Sequence, residues 1–192
     1  MIGIGGLARS GKDTLANCIA KIIKEEYNTE VKTYSFANAI KSQINDFLVE
    51  SYGISAFSQD TKEKQIIRDL LVCHGETMKK IHGKTIWAEI VIDEINEDDK
   101  KFFPIIPDVR FDFEVESVQQ EEGIVLHIAK IGNKPPNEIE SINDPLVQKS
   151  SDLCHTWPTY EPNKMDECMG HAEILWQMID PIYKEKWKKI YI

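Results

Sequence analysis

The stretch GGLARSGKDT at residues 5–14 constrains the fold of this chain more strongly than any other segment. It follows the apolar residues MIGIG and precedes a segment whose apolar residues recur at helical spacing, so the pattern predicts a strand, a glycine-rich loop and a helix. Gly6 and Gly11 stand where a side chain would keep backbone N–H groups away from a polyphosphate. The helix adds the positive end of its dipole, and Lys12 adds a point charge. The loop is therefore predicted to bind the phosphates of a polyphosphate ligand.

The usual pattern for such a loop places Ser or Thr directly after the lysine, as a ligand of Mg²⁺. This chain has Asp13 at that position and Thr14 next. A carboxylate is an equally hard oxygen ligand, so both residues are predicted to bind Mg²⁺. The alternative is a glycine-rich turn that caps an ordinary helix, with Asp13 favoured by the helix dipole. The full set of predicted phosphate-binding residues is Gly6, Leu7, Ala8, Arg9, Ser10, Gly11, Lys12, Asp13 and Thr14.

Length, charge and hydropathy limit the class of protein. With 192 residues, the chain is predicted to form a single domain. The net charge of −9 argues against a nucleic-acid partner, because binding to a phosphate backbone depends on Lys and Arg. A small anionic substrate needs only a local positive site. No apolar run approaches the roughly 20 residues of a membrane span, and the first residues lack the features of a signal peptide, so we expect no membrane partner and a cytoplasmic location.

Arginine is scarce, since only three of the 23 basic residues are arginines. Where lysine is the default cation, a retained arginine suggests a need for its planar fork, which binds carboxylates and phosphates through two hydrogen bonds. The three positions are Arg9, Arg68 and Arg110. We therefore treat all three as candidates for anion binding, with ordinary surface exposure as the alternative.

The remaining pattern alternates strands with helices. Strands are predicted over 30–37, 102–106 and 124–131, with amphipathic helices between them. This alternation predicts a three-layer α/β fold, in which helices flank a mostly parallel sheet. Ligands bind at the carboxyl ends of the strands in such folds, so we expect the glycine-rich loop, Phe36, Asp108 and Arg110 to face one crevice.

Residues 132–163 differ in character from the rest of the chain. They contain several prolines, Asn and Ser residues with weak periodicity, which predicts a lid or binding loop. Four residues in and beyond this segment are of types that bind zinc, but their spacing matches no zinc module, so we interpret the cluster as coincidental. They are Cys154, His155, Cys168 and His171.

Several segments together resemble the phage-type deoxynucleoside monophosphate kinases, which are relatives of the adenylate kinase-like P-loop kinases. The resemblance covers roughly residues 1–130 and rests on the motifs SGKDT, YSFANAIK, an Arg68 to Gly75 helix segment, IWAEIV and PDVRF. It implies a P-loop kinase fold, with ATP and Mg²⁺ as cofactors and a deoxynucleoside 5′-monophosphate as acceptor. A homodimer is also expected from the family.

The resemblance implies roles for particular residues. Lys12 would hold the donor phosphates, while Arg68 and Arg110 would hold the acceptor phosphate and the transferring group. Asp108 would position Mg²⁺ or the acceptor, with an ion pair to Arg110 as the alternative. Phe36 and Lys41 are predicted to line the acceptor pocket, with core packing and solvent exposure as their respective alternatives. The family tends to have a second arginine near the end of the long helix, where this chain has lysines at positions 79 and 80.

Two other functions are compatible with the same pattern. One is a different small-molecule P-loop kinase, such as a dephospho-coenzyme A kinase or a phosphomevalonate kinase, because these enzymes share the donor site. The other is a non-catalytic regulatory module that binds a nucleotide. The retained Lys12, Arg68 and Arg110 argue against the second.

Overall fold

The structure is a computed structural model that describes residues 1–98, 102–157, 165–182 and 184–185. It is an α/β fold in which helices flank a five-stranded parallel sheet. The strands are β1 (Ile2–Gly5), β2 (Glu30–Thr33), β3 (Phe102–Val109), β4 (Ile124–Lys130) and β5 (Leu153–Trp157). The helices are α1 (Lys12–Tyr27), α2 (Phe36–Tyr52), α3 (Thr61–His82), α4 (Ile86–Glu97), α5 (Asp112–Gln120), α6 (Glu138–Ser150) and α7 (Met165–Ile182).

The strand order β2-β3-β1-β4-β5 places β1 at the centre of the sheet. The chain adds β2 and β3 on one side of β1 and then crosses to add β4 and β5 on the other. Parallel sheets of this kind bind ligands at the carboxyl ends of the strands, where the strand order reverses. That point lies at the ends of β1 and its neighbours, so the topology favours a site around the glycine-rich loop.

The residues of β1 alternate between isoleucine and glycine. Ile2 and Ile4 are fully buried in the core that the sheet forms with α1 and α7. Gly3 faces the other layer, where an added Cβ would lie 3.1 Å from side-chain carbons of Val109 and Val125. A Cβ at Gly5 would lie 2.7 Å from a methyl group of Val147 in α6. The glycine face of β1 thus allows α5 and α6 to approach the centre of the sheet closely.

A second core covers the opposite face of the sheet. It consists of α4 and α5 residues packed on strand residues such as Ile106 and Val125. A third, smaller cluster joins α2 and α3 through Leu48 and Ile67, with Ala56 from the segment between them. The two large cores on the two faces of the sheet give the three layers that the sequence pattern predicts.

The predicted irregular segment over 132–163 contains regular structure, so that part of the interpretation is wrong. Residues 138–150 form α6, and residues 153–157 form the edge strand β5. Helical periodicity is weak in α6 because its exposed side also carries apolar residues, Ile139 and Ile142 among them. The role of the segment as a lid stays a prediction, and residues 158–164 lie outside the described residues.

The boundary between β2 and α2 also differs from the prediction. The strand ends at Thr33 and the helix begins at Phe36, because the Ser35 side chain caps α2 by accepting a hydrogen bond from the Asn38 N–H. Within the described ranges, no helix combines the length and apolar character needed to cross a membrane.

Candidate functional site

The glycine-rich loop connects the end of β1 to the first residue of α1. Gly6 has a φ of +134°, and an added Cβ would lie 2.2 Å from the carbonyl oxygen of Ile128, which no side chain can accommodate. Gly11 has a φ of +96° at the N-cap of α1. The two glycines therefore supply backbone conformations that an L-amino acid rarely adopts, as the strand–loop–helix prediction requires. Arg9, which is exposed within the loop, also has a left-handed backbone conformation, with a φ of +63°.

Lys12 is the first residue of α1, and its side chain folds back over the loop. The ammonium group donates hydrogen bonds to the carbonyl oxygens of Gly6 at 2.7 Å and Leu7 at 2.8 Å. Burial lowers the pKa of Lys12, and the charge of Arg110 lowers it further, whereas Glu140 and nearby aspartates act in the opposite direction. The lysine charge is thus desolvated and directed into the loop, where a bound polyphosphate would contact it.

The other loop residues surround this lysine. Asp13 is exposed in the first turn of α1, and Thr14 is half-buried beside it. Ser10 is fully buried, and its hydroxyl has no hydrogen-bond partner among the described residues. The assignment of Asp13 and Thr14 as Mg²⁺ ligands stays a prediction.

Asp108, near the carboxyl end of β3, anchors the start of α2. Its carboxylate accepts hydrogen bonds from the Ser35 hydroxyl at 2.7 Å and from the backbone N–H groups of Phe36 at 3.2 Å and Ala37 at 2.9 Å. The N-terminus of a helix favours a negative charge of this kind. The carboxylate therefore fixes α2 relative to the end of β3.

The alternative ion pair between Asp108 and Arg110 is not what the structure contains. Arg110 instead donates to Glu140 of α6, with 3.0 Å between Nη1 and Oε1. The second oxygen of Glu140 accepts the backbone N–H of Ala8 in the loop at 2.8 Å. Sequence reasoning missed Glu140, although an asparagine N-cap three residues before a glutamate is a helix-start signal. One carboxylate thus joins the glycine-rich loop to the arginine at the end of β3.

Glu114 of α5 is a second glutamate that sequence reasoning missed. It is 5% exposed and accepts the backbone N–H of Arg110 at 2.7 Å and of Phe111 at 3.1 Å. Burial raises the pKa of its carboxyl group to about 8, an effect that the hydrogen bond from Arg110 partly opposes. The side chain holds the backbone from which Arg110 projects.

Lys79 reaches the same region from the last turns of α3. Its ammonium group lies 4.4 Å from the ring centroid of Phe111, the residue after Arg110. A cation over an aromatic face at this distance is a favourable contact. The chain therefore places a lysine of α3, which also pairs with Glu76 at 3.1 Å, against the residue that follows Arg110.

The three remaining acceptor candidates differ in their surroundings. Phe36 is 3% exposed and packs in the second core, as its alternative interpretation expects, and its role in an acceptor pocket stays a prediction. Lys41 is half-buried, and its ammonium group lies 5.8 Å from the ring centroid of Phe57. Arg68 is exposed on α3, about 16 Å along the helix from Lys79 at 1.5 Å per residue. Among the residues that the structure describes, no contact joins Arg68 to Arg110.

A cavity of about 520 Å³ opens at the end of β2, between α2 and α4. Its lining mixes polar and apolar groups and includes Ser35, whose hydroxyl contacts Asp108, and the side chains of Phe57 and Ile90. Its volume lies in the range of small-molecule pockets. Further lining residues are Asn38, Ser42, Gln43 and Glu94.

The four zinc-competent residues do not share one centre. The thiol of Cys168 lies 3.7 Å from the thiol of Cys18, and both are buried free cysteines. Cys154 is exposed and donates to the carbonyl oxygen of Gln148. The rings of His155 and His171 are neighbours, with centroids 5.8 Å apart. In the part of the chain that the structure describes, no three His, Cys, Asp or Glu residues form a group that could hold a metal ion.

Comparison with protein-family models returns no match for this chain, and neither does comparison with curated proteins.

Proposed function

We propose that this protein is a Mg²⁺-dependent P-loop kinase that transfers the γ-phosphoryl group of ATP to a deoxynucleoside 5′-monophosphate. The observation that carries the proposal is that the Glu140 carboxylate joins Arg110, at the end of β3, to the glycine-rich loop over which the Lys12 ammonium group lies. The buried position of Lys12 and the positive φ angles of Gly6 and Gly11 fit a polyphosphate donor.

Phosphoryl transfer requires mainly the positioning of two phosphates and the stabilisation of negative charge. On the donor side, the loop amides and Lys12 bind the β- and γ-phosphates, and Asp13 and Thr14 would hold Mg²⁺. Mg²⁺, when bound, neutralises charge on the phosphate oxygens. The lysine exchanges its two loop carbonyl partners for phosphate oxygens, which are stronger acceptors.

On the acceptor side, Arg110 and Lys79 supply two cations next to the end of β3. They bind the acceptor monophosphate and orient one of its oxygens toward the γ-phosphorus. That oxygen forms the new P–O bond while the bond to the β-phosphate oxygen breaks, so the products are ADP and a deoxynucleoside diphosphate. Asp108 acts as a positioning residue, because it fixes the start of α2, which lines the cavity at the end of β2.

The test is ADP release from ATP and Mg²⁺ with dAMP, dCMP, dGMP, dTMP and their ribose counterparts, with dephospho-coenzyme A and phosphomevalonate as competing acceptors. We expect turnover with at least one deoxynucleotide, and a loss of at least about 100-fold in Lys12→Ala and Arg110→Ala, since each removes a cation from the transferring group. Lys21→Ala, at an exposed position of α1, is the matched control and should leave the rate unchanged.

Different outcomes separate the competing functions. If only dephospho-coenzyme A or only phosphomevalonate is phosphorylated, that compound takes the place of the deoxynucleotide as the proposed acceptor. Calorimetric ATP binding without turnover on any acceptor would favour the regulatory module.

A further inference from the structure

Glu140 makes contacts that an anionic ligand of the loop would be expected to make. Its carboxylate accepts a hydrogen bond from the Ala8 N–H, inside the glycine-rich loop, and another from the Arg110 guanidinium group. The side chain is only 12% exposed, whereas that of Arg110 is 48% exposed. Backbone N–H groups of a glycine-rich loop and arginine side chains are the donors that phosphates use. A carboxylate therefore occupies a place where phosphate oxygens are favoured.

The rest of the local structure holds Glu140 in that place. Asn137 caps α6 by accepting the backbone N–H of Glu140, and the Asn133 side chain donates to the carbonyl oxygen of Ala8 at 2.9 Å. The backbone N–H and the carbonyl oxygen of Ala8 are thus both hydrogen-bonded by residues around the start of α6. Burial lowers the pKa of Lys12, and the charge of Glu140 partly opposes this lowering because the carboxylate lies within electrostatic reach of the lysine.

We propose that Glu140 is a positioning residue that links the two substrate sites: its carboxylate substitutes for phosphate on the loop, and donor binding displaces it. The proposal rests on the proposed function. Displacement breaks the contact with Ala8 and the contact with Arg110 together, because one carboxylate makes both. The Nη1 group of Arg110, which Glu140 engages in the free protein, is then released toward the acceptor when the donor is in place. The two substrates are thereby coupled through a single side chain.

The first consequence is that Glu140 lowers the affinity for the donor. A bound triphosphate must replace two hydrogen bonds to a charged acceptor, and the displaced carboxylate remains close to the phosphates as a like charge. In Glu140→Gln, both costs decrease, because the amide is neutral and a weaker hydrogen-bond partner. We expect Glu140→Gln to bind ATP with Mg²⁺ about fivefold more tightly than the wild type, the factor that separates a charged from a neutral hydrogen bond.

The experiment measures dissociation constants by calorimetry for the full chain with ATP and Mg²⁺, and with inorganic tripolyphosphate as a probe that has no base. Glu138→Gln is the matched control, because it removes the same charge from the same turn of α6 at an exposed position. Tighter binding of both probes to Glu140→Gln, with Glu138→Gln within twofold of the wild type, supports the proposal. Circular dichroism and melting temperatures establish that all variants are folded.

Three results would overturn the proposal in distinguishable ways. If the wild type binds ATP and Glu140→Gln binds it equally or more weakly, Glu140 does not compete with phosphate, although the kinase assignment survives. If neither protein binds ATP or tripolyphosphate, the proposed function fails and the inference fails with it. An equal gain in Glu138→Gln would also overturn it, since the effect would then be general electrostatics.

Discussion

The buried carboxyl group of Glu114 makes the stability of this protein depend on pH. Its pKa rises from 4.5 to about 8, first because burial disfavours the charged form and also because Asp108 adds a like charge nearby. The hydrogen bonds from Arg110 and Phe111 act in the opposite direction without reversing the effect. Between these two pKa values, the folded protein keeps a proton on Glu114 that the unfolded chain releases.

The sign and the magnitude of the pH effect on the free energy of unfolding follow from this difference in pKa. A group that holds its proton more tightly in the folded state contributes stability below its unfolded pKa, and this contribution is lost as the pH rises through the folded pKa. The relevant window runs from pH 4.5 to about pH 8. At 1.36 kcal/mol for each pH unit of that window, the loss of unfolding free energy reaches an upper limit of roughly 5 kcal/mol.

Glu114→Gln tests this reasoning because glutamine is neutral at every pH and keeps an oxygen that can accept the two backbone N–H groups. Urea unfolding at 25 °C, from pH 5 to pH 9, gives the free energy of unfolding for both proteins. We expect the two to agree within about 1 kcal/mol at pH 5, and the variant to become more stable by roughly 2–5 kcal/mol at pH 9. Taking the difference between the two proteins removes the contribution of all other titrating groups.

Glu116→Gln, at an exposed position of the same helix, is the control and should follow the wild type at every pH. If the difference between Glu114→Gln and the wild type stayed constant from pH 5 to pH 9, the carboxyl group would not be titrating in the folded protein with a raised pKa. The burial of Glu114 beneath the Arg110 backbone would then make no pH-dependent contribution to the free energy of unfolding.

Two further changes test the loop and the acceptor side. Gly6→Ala places a Cβ 2.2 Å from the Ile128 carbonyl oxygen. We therefore expect the free energy of unfolding in urea to fall by at least about 2 kcal/mol, and the affinity for ATP measured by calorimetry to decrease. If both values equalled those of the wild type, the close approach of the two backbones would be contradicted. Lys79→Gln should raise the acceptor KM roughly tenfold with an unchanged KM for ATP, because it removes one charged contact beside Phe111. Lys80→Gln is the matched control, and an equal effect in both variants would refute a specific role for Lys79.

The sheet architecture and the loop were predictable because both leave local signals. Strand and helix periods alternate along the chain, and Gly6, Gly11 and Lys12 stand at fixed spacing within ten residues. The conformations at both glycines agree with that pattern.

The contacts around the loop were not predictable, because they join residues far apart in sequence. Ala8 and Glu140 are separated by 132 positions, and no local pattern indicates that a carboxylate from α6 reaches a loop amide. Phe36 shows a second limit, since an aromatic residue after a strand suits a pocket and a core equally well, and only packing decides between them. Arg110 was correctly placed at the end of a strand, but its partner depends on the approach of α6.

The pairing of β1 has a consequence for how the chain folds during synthesis. Ile2 of this central strand aligns with Ile105 on one side and with Ile124 on the other, so both neighbours are synthesised more than 100 residues later. At about 5–20 residues per second, the ribosome needs roughly 5–20 s to produce them. During that interval the backbone groups and isoleucines of β1 have no sheet to join. The nascent chain is therefore expected to expose an aggregation-prone strand for seconds, which makes it a candidate client for chaperones that act at the ribosome.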